Sequence, residues 1–114
     1  FAHGLRNPEF RQSLGTRATT IVPTVGSSRP IALHSKNRLL SGYPIRVIGK
    51  TGWTRAAGKC FVGAGSLDGR EVLVAVLGSD DLWGDLRRLM EFGFHRGPEP
   101  LPRGTRGTTL VRAP

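Results

Sequence analysis

Cys60-Phe61-Val62-Gly63-Ala64-Gly65 and Glu71-Val72-Leu73-Val74-Ala75-Val76-Leu77 are two strand-like runs, joined by Ser66-Leu67-Asp68-Gly69-Arg70. Asp-Gly between two apolar runs is the strongest short-range hairpin signal, because both residues tolerate the positive φ angles of a tight antiparallel turn. Alternation sends Val72, Val74 and Val76 to one face and Leu73, Ala75 and Leu77 to the other. Both faces are apolar, which predicts a central strand covered on both sides.

On the C-terminal side a helix is expected over 80–92. Ser79 and Asp80 are its candidate N-caps, and Asp81 and Asp85 suit the positive end of its dipole. Leu82, Leu86, Leu89 and Met90 make an apolar stripe, and Gly93 is the expected stop. The Pro/Gly/Arg-rich stretch 95–114 has no period and reads as a loose tail. On the N-terminal side, Asn7-Pro8-Glu9-Phe10 reads as an N-cap with proline at the first helical position, ending at Gly15. Thr19–Val22 and Ile31–His34 are β-prone, separated by turn chemistry, and Ile45-Arg46-Val47-Ile48 follows the Gly42-Tyr43-Pro44 break. The fold class is α/β (α+β): an antiparallel sheet of about three to five strands with the last helix packed on one face.

At 114 residues there is room for one domain, and no apolar run approaches the length of a bilayer span. Cys60 is the single cysteine, so an internal disulfide framework is excluded, and its apolar strand context reads as a buried small hydrophobe. His3, His34 and His95 are too scattered to suggest a metal site, and none is assigned. The net charge of +9 is unevenly placed: residues 1–59 carry +9, residues 60–94 carry −3 and the tail +3. The basic residues are dispersed, and the aromatics sit in apolar contexts such as Phe92-Gly93-Phe94, which argues against a nucleic-acid partner. A field of this sign still attracts anionic surfaces and polymers.

Lys50-Thr51-Gly52 is the most informative triplet. It closes an apolar strand before a short turn, Thr54–Gly58. Lys and Thr on an edge strand offer an ammonium and a hydroxyl to a carboxylate, and Gly lets a ligand's backbone come close. Gly49-Lys50-Thr51 is not the end of a phosphate-binding loop, since position 44 is Pro and strands, not a helix, follow.

Several motifs then stand in order: Leu5-Arg6-Asn7-Pro8-Glu9-Phe10, Asn37-Arg38-Leu39-Leu40, Lys50-Thr51-Gly52-Trp53-Thr54, Ala57-Gly58-Lys59-Cys60, the Asp68-Gly69-Arg70 hairpin, Val74–Gly78 and Arg87–Phe94. Together they resemble the C-terminal part of serine-type D-alanyl-D-alanine carboxypeptidases, the low-molecular-mass penicillin-binding proteins, over residues 4–94. The resemblance implies a partial β-lactamase/transpeptidase-like fold. It also implies acyl transfer through a serine, on peptidoglycan stem peptides, in the bacterial cell envelope and with no cofactor. By the same resemblance Lys50 is catalytic, supplying positive charge beside the nucleophile. Thr51 binds the substrate carboxylate, Gly52 permits its strand-like approach, and the Trp53 backbone N–H is one oxyanion-hole donor. Beta-lactams would be ligands of the intact enzyme.

The family's Ser-x-x-Lys is missing: the residues three before Lys36, Lys50 and Lys59 are Leu33, Val47 and Ala56. Ser35-Lys36-Asn37 spells Ser-x-Asn but lies where the family leads into its Asn-Arg-Leu-Leu, and is taken as coincidental. Before the last helix, Ser79-Asp80-Asp81 stands where the family commonly has basic residues. The nucleophile is therefore expected in an N-terminal part upstream of Phe1, a possible partner of this chain. The rival expectations are a non-catalytic penicillin-binding-like interaction module and a basic nucleic-acid-binding protein.

Overall fold

The computed structural model describes residues 1–26, 28–95 and 110–112. Three long strands form the body: β3 (Val47–Thr54), β4 (Gly58–Leu67) and β5 (Arg70–Ser79), all antiparallel. At the β4–β5 turn Asp68 has φ 51° and Gly69 φ 74°. Both central residues are left-handed, the geometry that matches the twist of the flanking strands. The β3–β4 turn is longer. It is closed by the Ala57 N–H donating to Thr54 Oγ1 at 2.9 Å, with Gly58 at φ 69°.

The helix α2 (Leu82–His95) lies across one face of this sheet. Its stripe of Leu82, Leu86, Met90 and Phe94 meets Val47, Phe61, Val72, Val74 and Val76, and Leu39 completes the core. The N-cap is neither Ser79 nor Asp80. Asp81 Oδ1 accepts the Gly84 N–H at 3.2 Å, and the Ser79 hydroxyl instead reaches forward to donate to Asp85 Oδ2 at 2.6 Å. Gly93 does not stop the helix either. It is buried in the last turn, and a Cβ there would stand 2.6 Å from Val72 Cγ1. The missing side chain is a packing requirement. The C-terminal carbonyls are held by Arg70, whose guanidinium donates to Phe94 O at 2.8 Å and Gly93 O at 3.3 Å.

The opposite face is only partly covered, contrary to the expectation for β5. The helix α1 (Pro8–Gly15) packs against β3, leaving Leu77 at 55% exposure and Leu73 and Ala75 half-buried. Asn7 caps α1 as expected, its Oδ1 accepting from Glu9 N–H at 2.8 Å and Phe10 N–H at 3.3 Å. Arg11 then clasps Glu71 at the start of β5 with two bonds of 2.8 and 3.0 Å.

β1 (Ala18–Ile21) and β2 (Ile31–His34) pair only with each other, as a two-stranded ribbon apart from the main sheet. A last strand, β6 (Leu110–Arg112), pairs with β5, giving the order β3-β4-β5-β6. The stretch expected to be loose, 95–114, therefore begins within α2 and contains a short strand. Its remaining residues lie outside those described. β-prone Leu110-Val111 was hidden by the surrounding Pro/Gly/Arg composition, and the outer edge of β5 offers it unpaired backbone groups.

Candidate functional site

Among the described residues β3 has no neighbour on its outer side, so Lys50-Thr51-Gly52 lies on an open sheet edge. Lys50 pairs with Val62 and points with Ile48 to the face turned from α2, while Thr51 pairs with Phe61 on the α2 face. Lys50 is exposed, and its ammonium curls back to the edge to donate to Thr51 O at 2.7 Å. Thr51 is half-buried and Gly52 exposed. A Cβ on Gly52 would meet only Cys60 Cβ, at 3.8 Å, so the strand is open above this position. One turn of the alternation earlier, Gly49 pairs with Gly63 and the Phe61 ring covers both; a side chain at either would collide with it.

Along this edge runs a cleft of about 1030 Å³. One wall is Gly49–Trp53. The other is His34–Arg38, where the ribbon returns to the body, and Lys59, Leu82 and Trp83 close it. Trp53 is 69% exposed at its rim. Trp83 is half-buried, edge-on to Phe61 at 6.1 Å, with the Arg38 guanidinium 5.9 Å over its ring. Lys59 Nζ donates to Asp80 O at 3.1 Å. Lys36, Arg38, Lys50 and Lys59 all line the cleft, and none of its lining residues is acidic. In such a site a carboxylate finds cations on several sides.

The sequence-predicted set Lys50, Thr51, Gly52 and Trp53 thus shares one strand and one cleft. The cations Lys36, Arg38 and Lys59 were missed, and Trp83, which the sequence left open between cleft wall and core, lines the cleft. Lys59 was findable, because the Thr54–Gly58 turn places it directly opposite Trp53. Arg38 and Trp83 meet only through tertiary packing. Ser35-Lys36-Asn37 also lines the cleft, but the Asn37 amide is committed to structure: it donates to Val47 O at 2.7 Å and accepts from Leu39 N–H at 3.0 Å. Asn37 is buried and caps the short 3-10 turn Arg38–Leu40.

Cys60 is half-buried, which corrects the expectation of a buried hydrophobe. It stands at a bulge where Leu77 and Gly78 of β5 together oppose it, with Gly78 at φ 65°. Among the described residues no group of three or more His, Cys, Asp or Glu is placed to hold a metal ion. No helix among them is long and apolar enough to cross a membrane.

No protein-family model matches the sequence. The chain is similar to the D-alanyl-D-alanine carboxypeptidase DacB2 of Mycobacterium tuberculosis (strain ATCC 25618 / H37Rv), with 30% identity over 105 residues. That match takes in 87% of this chain but 35% of the relative, so the chain spans about a third of its length. The relationship is distant, and the chain has the extent of a part of such an enzyme.

Proposed function

We propose that the chain is the C-terminal part of a serine-type D-alanyl-D-alanine carboxypeptidase, supplying the strand along which the substrate's terminal peptide lies. The observation that carries this reading is Lys50-Thr51-Gly52 on an open edge beside a cleft lined by cations without acids. The relative's activity supports it.

In the reaction a serine Oγ attacks the carbonyl of the penultimate D-alanine, the terminal D-alanine leaves, and water hydrolyses the acyl-enzyme. The Thr51 hydroxyl donates to the departing residue's carboxylate. Lys50 adds positive charge beside the nucleophile, whose proton would otherwise be held more tightly. The Trp53 N–H donates to the oxyanion, where one such bond is worth about 3 kcal/mol in the transition state. Gly52 keeps the strand bare so that peptide backbone can approach. The serine must come from polypeptide outside these 114 residues, which hold no Ser-x-x-Lys. The site of action on this reading is peptidoglycan, outside the cytoplasmic membrane. The substrate is the stem peptide, and beta-lactams acylate the same serine.

Fluorescent penicillin tests the proposal. The 114 residues alone should remain unlabelled after denaturation, since without a nucleophile only binding and electrostatics are left. A polypeptide extended by the serine-bearing part should label, and its Lys50→Ala variant should label at least about a hundredfold more slowly. An extended protein that binds stem peptide without ever labelling would instead be a non-catalytic interaction module.

A further inference from the structure

The β1–β2 ribbon is the part of the molecule that the cleft does not explain. All eight of its strand residues are exposed. Its register puts Ile21 opposite Ile31 and Thr19 opposite Leu33, so Ile21, Ile31 and Leu33 share one face. They are 44–46% exposed, and at the tip Val22 and Val25 rise to 59% and 88%. An exposed aliphatic patch on a ribbon that belongs to no larger sheet marks an interaction surface.

Charge selects the occupant. Between Phe10 and Leu67 there is no Asp or Glu, while Arg11, Arg17, Arg29, Lys36, Arg38, Arg46, Lys50, Arg55 and Lys59 fall in that span. The ribbon thus lies in a segment whose only charges are positive, bounded by Glu9 before it and with Arg11 at its start taken up by Glu71. The ribbon of a second copy carries the same sign and would be repelled. A nucleic acid would want several flat rings to stack on, and positions 11–42 contain no Phe, Tyr or Trp and a single imidazole, His34. Aliphatic side chains backed by basic ones match the boundary of an anionic bilayer, where the apolar groups leave water and the cations meet headgroup phosphates.

We propose that the β1–β2 ribbon docks the protein on an anionic lipid surface, with Val22 and Val25 entering the headgroup–acyl boundary. His34–Arg38 is both the ribbon's return and a wall of the cleft, so docking holds the cleft close to the lipid surface. This inference is independent of the catalytic proposal and needs only the folded chain.

Co-sedimentation of the 114-residue protein with phosphatidylcholine vesicles, with and without about 30 mol% phosphatidylglycerol, tests it. Binding should be at least about tenfold tighter to the anionic vesicles, and Val22→Asp/Val25→Asp should weaken it about tenfold with an unchanged far-ultraviolet circular dichroism spectrum. Undiminished binding by that variant would reduce the effect to surface charge and overturn the docking role. Should the variant misfold, Val25→Trp gives a second readout: its emission should be quenched by brominated lipids beyond that of the native Trp53 and Trp83. No added quenching overturns the proposal. So does tighter binding to an oligonucleotide than to vesicles, or a dimer that forms through the ribbon without any vesicle binding.

Discussion

Gly93 shows how one absent methyl can set the distance between a helix and a sheet. With a Cβ 2.6 Å from Val72 Cγ1, Gly93→Ala forces α2 away from β5 or twists Val72 from its rotamer. Overpacking of this kind costs about 1–3 kcal/mol, more than the gain in helix propensity returns. Urea denaturation should therefore show a lower midpoint for Gly93→Ala with an unchanged slope. The Arg11–Glu71 clasp is a second residue-scale device. Hydrogen bonding from Arg11 holds the Glu71 carboxyl below its ordinary value, despite partial burial pushing the other way. A depressed folded-state value means that the unfolded chain binds the proton more readily, so the clasp stabilises at neutral pH and fades in acid. The stability gap between the native protein and Glu71→Gln should be full at pH 7. It should begin to close as the pH drops below about 4.3, and vanish once Glu71 is protonated in the folded state. A gap independent of pH would assign the effect to packing.

At the scale of elements, the two hairpins and the α1 cap were legible because their chemistry is local. Asp68-Gly69 adopts its left-handed pair from the turn alone, and Asn7-Pro8 starts α1 without outside help. The beginning and end of α2 were not, because each depends on a partner remote in sequence. Asp85 draws the Ser79 hydroxyl to itself, which leaves Asp81 to cap, and Val72 demands a glycine where a helix would normally stop. The cap assignment is testable. Asp81→Ala should cost about 1 kcal/mol, the usual loss of an N-cap. Asp80→Ala should change the thermal midpoint little, its backbone carbonyl remaining free to accept from Lys59. The candidate site divides the same way. Lys50-Thr51-Gly52-Trp53 is contiguous and could be read from the chain, whereas the Arg38–Trp83 stack joins residues 45 positions apart through the fold.

For the molecule as a whole, the basic excess of the first half of the sequence gathers at the cleft, where Lys36, Arg38, Lys50 and Lys59 stand among lining residues that include no acid. Ligand attraction to the cleft should accordingly weaken with added salt, because exposed charges are screened beyond about 10 Å at 0.1 M. Nuclear magnetic resonance titration with an N-acylated dipeptide acid and its C-terminal amide should show shifts at Thr51 and Gly52 for the acid, and far smaller ones for the amide. The open edge of β3 has one more consequence. An edge strand with no neighbouring strand among the described residues, its outer backbone groups met only in part by Asn37 and Lys50 side chains, is a template for any extended chain, including another copy of this protein. Lys50 guards that edge: a stacked copy would have to bury its ammonium or press it toward a second one. The residue that recommends the edge to an anionic peptide is thus also its gatekeeper against fibrillar self-assembly, and exchanging Lys50 for isoleucine should lower the concentration at which the chain aggregates.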